Sequence, residues 1–326
     1  LADNDRESIL IDYLDAIGRL SKENKDNVAW WTTIIASKSR FYSPVPKLLN
    51  DFVLSLRAIK GCLEKDTDLC ILGTSWPVIV AIKNHANGAL NPKAQFQQTV
   101  NSMAERRIAR AKERGQDVPE YNTELDFLND ERANPWVAWP LRLYDCAPIT
   151  DGASCVLLVS EEIAHNFTDK PISIAGIGQA TGKPLHDSDE LTSLSAAKAA
   201  SQQAYDMAGI TAAEIDLAEV HDCFTIAEIV ATEDLGFFAP GEGPRAVDEG
   251  RTSLDGDHPI NTSGGLKAKG HPVGASGVGQ VIEIYHQLRG EAGERQVKKD
   301  NPTVGITHNV GGTGGTCVVN VLRRES

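Results

Sequence analysis

Asn261–Gln287 reads NTSGGLKAKGHPVGASGVGQVIEIYHQ: six glycines, a proline and His271, then an abrupt change to helical periodicity. Val278, Val281, Ile282, Tyr285 and Leu288 recur at three- and four-residue steps, which predicts one buried helical face. Gly290 stands where a helix of this kind stops. The segment ahead of the helix delivers His271 to a helix N-terminus on a glycine-lined backbone. Small residues there let a ligand approach the main chain, and unpaired N–H groups favour negative charge. Such a setting suits the stabilisation of an oxyanion.

Two further stretches, His221–Phe224 (HDCF) and His308–Gly315 (HNVGGTGG), repeat the design of a reactive side chain at a strand end. Around them the pattern alternates. ISIAGIG (172–178) predicts a strand, and Ser193–Met207 an alanine-rich helix closed by Gly209. Thr211 with Glu214 has the spacing of a capping box; so does Thr225 with Glu228, at the start of the next helix. Leu217–Val220, Thr303–Thr307 and Thr316–Leu322 predict strands, the last two joined by the glycine turn. Short strands alternating with helices indicate an α/β sheet covered on both faces. Gly176, Gly178 and Gly182 miss the dinucleotide fingerprint by one position, with no acidic ribose ligand, so a nicotinamide enzyme is excluded.

The whole chain bounds the partners. Its 326 residues are 41% hydrophobic and 24% charged, with a net charge of −13. That balance argues against nucleic acid or an anionic membrane as partner. No apolar run approaches the ~18 residues of a membrane helix, and the opening LADNDRESIL has no signal-peptide character. Cys62, Cys70, Cys146, Cys155, Cys223 and Cys317 show neither CxxC nor metal-type spacing. Scattered thiols of this kind predict a cytoplasmic protein without a structural metal.

Residues 1–77 form a mostly helical leader on this reading, with Leu10, Tyr13, Leu14, Ile17 and Leu20 on one face and an aromatic group of Trp30, Trp31, Phe41 and Tyr42. Character changes near Val78. VAIKNHANGALNPKAQF leads into a charged helix, Ser102–Arg114, whose five cations either meet phosphates or form a solvated face with Glu105 and Glu113. Asp151–Gly152 predicts a turn, and Cys155–Ser160 a buried strand.

Cys223 lies beside His221 and just ahead of a helix N-terminus, both of which favour thiolate. It is a proton shuttle, a nucleophile, or a small hydrophobe at a strand end. His271 and His308 can each donate to a developing carbonyl charge, helped by free backbone N–H groups on the glycines. Two histidines, a thiol and glycine-rich main chain suit carbanion and oxyanion chemistry on an acyl group.

Together EVHDCFTIAE, NTSGGLKAKGHPVGASGVGQ, QLRGEAGERQV and THNVGGTGGT resemble the C-terminal half of a thiolase, in the sterol-carrier-protein-type branch of acetyl-CoA acetyltransferases and lipid-transfer proteins. The resemblance runs from about Val78 to Arg324. It implies a layered α/β sandwich with an incomplete N-terminal half: loop region and end of the first half over 78–168, C-terminal domain over 169–326. It implies that His271 holds the thioester oxygen, that His221 stands where other thiolases use an asparagine to fix a water, and that Cys223 removes a proton from the α-carbon. His308 occupies the place of a CxG motif. Asn309, Gly311, Gly312, Gly270 and Gly274 line the coenzyme A thioester, which is a substrate and not a resident cofactor. Asn84–Gln95 and the basic helix belong to the loop region covering coenzyme A. A homodimer in lipid metabolism, and a small zinc-ribbon/OB-fold acyl-CoA-binding partner protein, are further implications. Within the leader, YLDAIGRL, AWW and ASKSRF resemble surface-carbohydrate biosynthesis proteins.

One departure stands against these matches. A thiolase also needs a nucleophilic cysteine in a small-residue motif, and none of KGCLE, DLCILG or the surroundings of Cys146 and Cys155 supplies it. The expectation is an acyltransferase by descent that is inactive alone. The alternatives are a non-catalytic acyl-CoA-binding or thiolase-docking subunit, and a thiolase-like aldolase on β-hydroxyacyl-CoA. Cys223 beside His221 counts against the aldolase.

Overall fold

The computed structural model describes residues 76–138, 141–183, 192–312 and 314–325. The expectations for the leader lie outside the described residues up to residue 75. In chain order the helices and strands are α1 (Trp76–Ala89), α2 (Val100–Glu113), α3 (Glu124–Asn129), β1 (Trp136–Ala138), β2 (Leu141–Arg142), α4 (Glu161–Ala164), β3 (Ile172–Thr181), α5 (Ser195–Ala208), β4 (Leu217–Val220), α6 (Thr225–Asp234), α7 (Gly243–Asp248), α8 (Gly265–Lys269), α9 (Ser276–Arg289), β5 (Val304–Gly311) and β6 (Thr316–Arg324).

Four of these strands form a mixed sheet in the order β3-β6-β5-β4. β6 runs antiparallel to both neighbours, whereas β4 and β5 are parallel. On one face lies α5, whose Ala196, Ala197, Ala200 and Ala204 are buried with Cys317, Val319 and Val321 of β6. Alanine is what this approach demands, because Gly178 faces the Ala200 carbonyl so closely that a Cβ there would overlap it. On the other face α9 packs Ile284 and Leu288 against Leu217, Val297 and Leu322. The result is the layered α/β arrangement, helix on both faces of a sheet. α1 packs against α6, α7 and α8, beyond the β4 edge.

The Thr211–Glu214 capping box is present. Three other expectations are corrected. The buried face of α9 is mostly polar: Ser276, Gln280, Glu283 and Gln287 join Ile284 and Leu288, while Val278, Val281, Ile282 and Tyr285 are half-buried. The polar face turns inward because it has partners there, such as Gln280 Nε2 donating to the His308 carbonyl at 3.1 Å. Thr225 and Glu228 form no capping box; Thr225 Oγ1 donates to Asp145 at 3.0 Å and Glu228 pairs with Lys83 at 2.9 Å. Asn84 to Ala89 forms the end of α1, with Asn84, His85 and Asn87 buried. Finally, Cys155–Ser160 is no strand: the run is irregular and largely exposed, because no ladder partner stands beside it among the described residues.

Candidate active site

The parallel register of β4 and β5 sets Val220 opposite His308, so His221 leaves the strand end beside it. The His221 backbone N–H points to His308 Nδ1 at 3.5 Å. His271 arrives from another direction, between α8 and α9. Its backbone N–H donates to Thr150 Oγ1 at 3.2 Å, and its ring stands edge-on to that of His221 with centroids 5.1 Å apart. Three histidines 87 positions apart at the extremes therefore meet where two parallel strands end, the usual place for ligands in such sheets.

Burial holds His221 at a pKa of about 3, with His271 and His308 adding to the effect. Burial takes His308 to about 4, against a smaller opposing effect of a backbone hydrogen bond. Both rings are neutral at pH 7, and His221 Nδ1 and His308 Nε2 are buried with no protein partner among the described residues. Such orphaned nitrogens suit a bound water or substrate oxygen. Cys223 follows in the β4–α6 turn, half-buried, its carbonyl accepting from the Ala147 N–H at 2.9 Å. By contrast Cys317 is locked in β6, where burial pushes its thiol up to about 12.

Asn309 is half-buried and donates to Gln280 Oε1 at 3.2 Å. Gly311 and Gly312 are exposed at the β5–β6 turn, Gly312 with φ 62°. Gly270 has φ 107°, and a Cβ there would press on Thr150 Oγ1 at 2.9 Å, so glycine is required. Gly274 borders an open groove of about 410 Å³ between Thr150–Ser154 and Pro272–Ala275. No metal-holding group of three or more His, Cys, Asp or Glu exists among the described residues.

Sequence reasoning missed the groups that hold these turns. Asp222, fully buried between His221 and Cys223, accepts from the Leu266 and Lys267 N–H groups at 2.6 and 3.2 Å, tying HDCF to α8. Burial and the nearby Glu228 raise its pKa to about 7. Asn84 of α1 donates to both Asp222 and Glu228 at 2.8 Å. Asn261, with φ 55°, accepts from the Val220 N–H at 2.9 Å and donates to Glu228 at 2.8 Å. Glu219 holds Ser263 through its N–H and hydroxyl at 3.0 and 2.6 Å. The one signal available was a polar run, KNHAN, inside an otherwise apolar helix.

Residues 178–324 match a family described as thiolase C-terminal domain-like. An acetyl-CoA acetyltransferase of Methanothermobacter thermautotrophicus is 44% identical over 247 residues, covering 76% of this chain and 57% of the relative. Sterol carrier protein 2 of Bos taurus is 32% identical over 250 residues, 74% of this chain and 40% of that one. This chain belongs to the thiolase superfamily, in its sterol-carrier-protein-type branch. It spans about half the length of the relatives it matches. The thiolase fold extends to a solved Ltp2-ChsH2(DUF35) aldolase, with a TM-score of 0.65 at 23% identity over 84% of this chain and 63% of that structure. In this thiolase-type domain HDCF, GHP and HNVGGTGG bring their three histidines together, and the buried carboxylates Asp222, Glu219 and Glu228 fix the turns that carry two of those motifs.

Proposed function

We propose that this domain performs the deprotonation and oxyanion-holding half of Claisen chemistry on an acyl-CoA thioester. The convergence of His221, His271 and His308 where β4 and β5 end, with two buried histidines held neutral, is the observation that carries the reading; Cys223 follows two positions after His221 in the same turn. Cys223 as thiolate takes a proton from the α-carbon, and the electron pair moves to the thioester oxygen. His271 donates a hydrogen bond to that oxygen, and the neutral His221 holds a water that donates a second. The resulting enolate attacks an acyl group carried on a nucleophilic thiol, which none of the four described cysteines supplies in a suitable motif. Cys62 in KGCLE and Cys70 in DLCILG lack such a motif in sequence as well, so thiolysis by this chain alone is expected to fall below detection.

α-Proton exchange separates the two halves of the reaction, because it needs only base and oxyanion hole. The test is deuterium uptake at the acetyl methyl of acetyl-CoA in D2O, followed by NMR. Uptake that is lost in Cys223→Ala and His271→Ala but kept in Cys155→Ala supports the reading. A protein that binds acetyl-CoA yet exchanges nothing is a non-catalytic acyl-CoA-binding subunit. Release of a ketone from a β-hydroxyacyl-CoA makes it an aldolase. The same proposal carries a homodimer, an acyl-CoA-binding partner of zinc-ribbon/OB-fold type and a cytoplasmic site of action; light scattering reports the first. Among the described residues no helix is long and apolar enough to cross a membrane.

A further inference from the structure

Asn84 of α1, Asp222 of the HDCF turn and Glu228 of α6 have no exposed surface. Asn84 Nδ2 donates to Asp222 Oδ2 and to Glu228 Oε2, each at 2.8 Å, and Asn84 Oδ1 accepts from Lys83 Nζ at 2.7 Å. These partners fix which end of the amide faces which way. Turned over, its carbonyl would oppose two carboxylates and its NH2 group an ammonium. Among the described residues, every partner of the two carboxylates is a donor. Asp222 accepts from the Leu266 and Lys267 N–H groups besides Asn84. Glu228 accepts from Asn84 and Asn261 and pairs with Lys83. A protonated carboxyl would turn its O–H onto one of these donors, so the pattern is that of two anions.

We infer that Asn84 is a positioning residue: it divides its amide between Asp222 and Glu228 so that both stay ionised side by side, and thereby holds the turn that carries His221 and Cys223. Buried like charges resist ionising together, and burial with the charge of Glu228 already presses Asp222 toward protonation. A proton on Asp222 would set it against the α8 N–H groups that it now accepts from. The charged groups around Asp222 are Glu228 of α6, Lys83 of α1 and Lys267 of α8, with His221 and Cys223 on either side in the turn. Lys83 is committed to Glu228 and to the Ile260 carbonyl, at 2.9 and 2.7 Å. Asn84 is therefore the side chain, among the described residues, that donates to both anions. It belongs to a helix ahead of the matched region 178–324, so this turn depends on chain outside that region. The effect on rate rests on the proposed role of the HDCF turn, whereas the two carboxylates are measurable without any reaction.

The experiment follows the Asp222 side-chain carboxyl by 13C NMR across pH in the full chain, with circular dichroism to check the fold. Asn84→Leu keeps a side chain of similar length but supplies no donor, and should raise the Asp222 midpoint by about one pH unit or more. Adding Glu228→Gln removes the opposing charge and should return the midpoint to the wild-type value or below. If Asn84→Leu does not fold, Asn84→Ser, with one proton for two acceptors, carries the same test. In the α-exchange assay the loss of the amide should lower the turnover number about tenfold with little change in KM, the scale of one hydrogen bond. An Asp222 midpoint that stays put when the amide is lost overturns the inference. So does a midpoint raised equally with and without the Glu228 charge, because a side chain that only fills space would give that result. The expected midpoints in a protein with no α-exchange leave the inference standing and remove the proposed function instead.

Discussion

Cys155–Val159 reads CVLLV and Cys317–Val321 reads CVVNV, yet the two runs have opposite fates. The second is the middle of β6, paired with β3 on one side and β5 on the other, and Cys317, Val319 and Val321 have no exposed surface. The first makes no ladder among the described residues, and Leu157 and Leu158 are 74% and 69% exposed. Their compositions hardly differ, and by local propensity the exposed run is the more apolar of the two. The difference teaches that an apolar run becomes a strand only when neighbours take up its backbone N–H and C=O groups and cover its faces.

Substitutions sharpen the contrast, beginning with the largest effect. Val319→Asp places a carboxylate in the dry layer between the sheet and α5, and should cost more than about 4 kcal/mol or prevent folding. Chemical denaturation followed by circular dichroism reads it; a loss under 1 kcal/mol would mean that β6 is not the core strand. Next, Glu228→Ala leaves Lys83 buried without its partner, at a cost of about 3–5 kcal/mol. Adding Lys83→Met should recover much of that loss, since the uncompensated charge is what destabilises. Failure of the double variant to recover would show that the hydrogen bonds of Glu228 to Asn84 and Asn261 matter more.

The pH dependence of stability probes the same strand ends. His308 folds with a pKa of about 4, below its ordinary value of 6.5, so between these limits the unfolded chain takes up a proton that the folded one refuses. Stability is thus full above about pH 6.5 and falls as pH drops toward 4, by roughly 3 kcal/mol for this group. His221 adds a fall of the same sign that continues to about pH 3. Asp222 acts oppositely: its folded pKa of about 7 lies above the ordinary 3.8, so its contribution declines as pH rises from about 4 to 7. His308→Asn should flatten the acid limb of the stability profile, and Asp222→Asn should steepen it. Equal slopes in wild type and both variants would refute the buried-neutral description. The smallest effect belongs to the exposed run. Leu157→Asp should change stability by no more than about 0.5 kcal/mol, because its side chain already meets water. A loss comparable with that of Val319→Asp would show that this run is covered in solution.

Where local chemistry suffices, the sequence alone was enough. The alternation of strands and helices after Pro171, the glycine stops at Gly209 and Gly290, and the Thr211–Glu214 box all follow from neighbours three or four residues apart. The three histidines were legible because glycines surround two of them and a helix start follows the third. What only the tertiary structure decided is what each side chain meets. α9 turns its polar face inward because Thr262, His308 and Arg295 offer partners. Glu228 leaves its own helix start for Lys83, 145 positions earlier in the chain. CVLLV stays exposed while CVVNV is buried. In each case the outcome depends on desolvation and pairing with residues remote in sequence, and no window of local pattern contains that term.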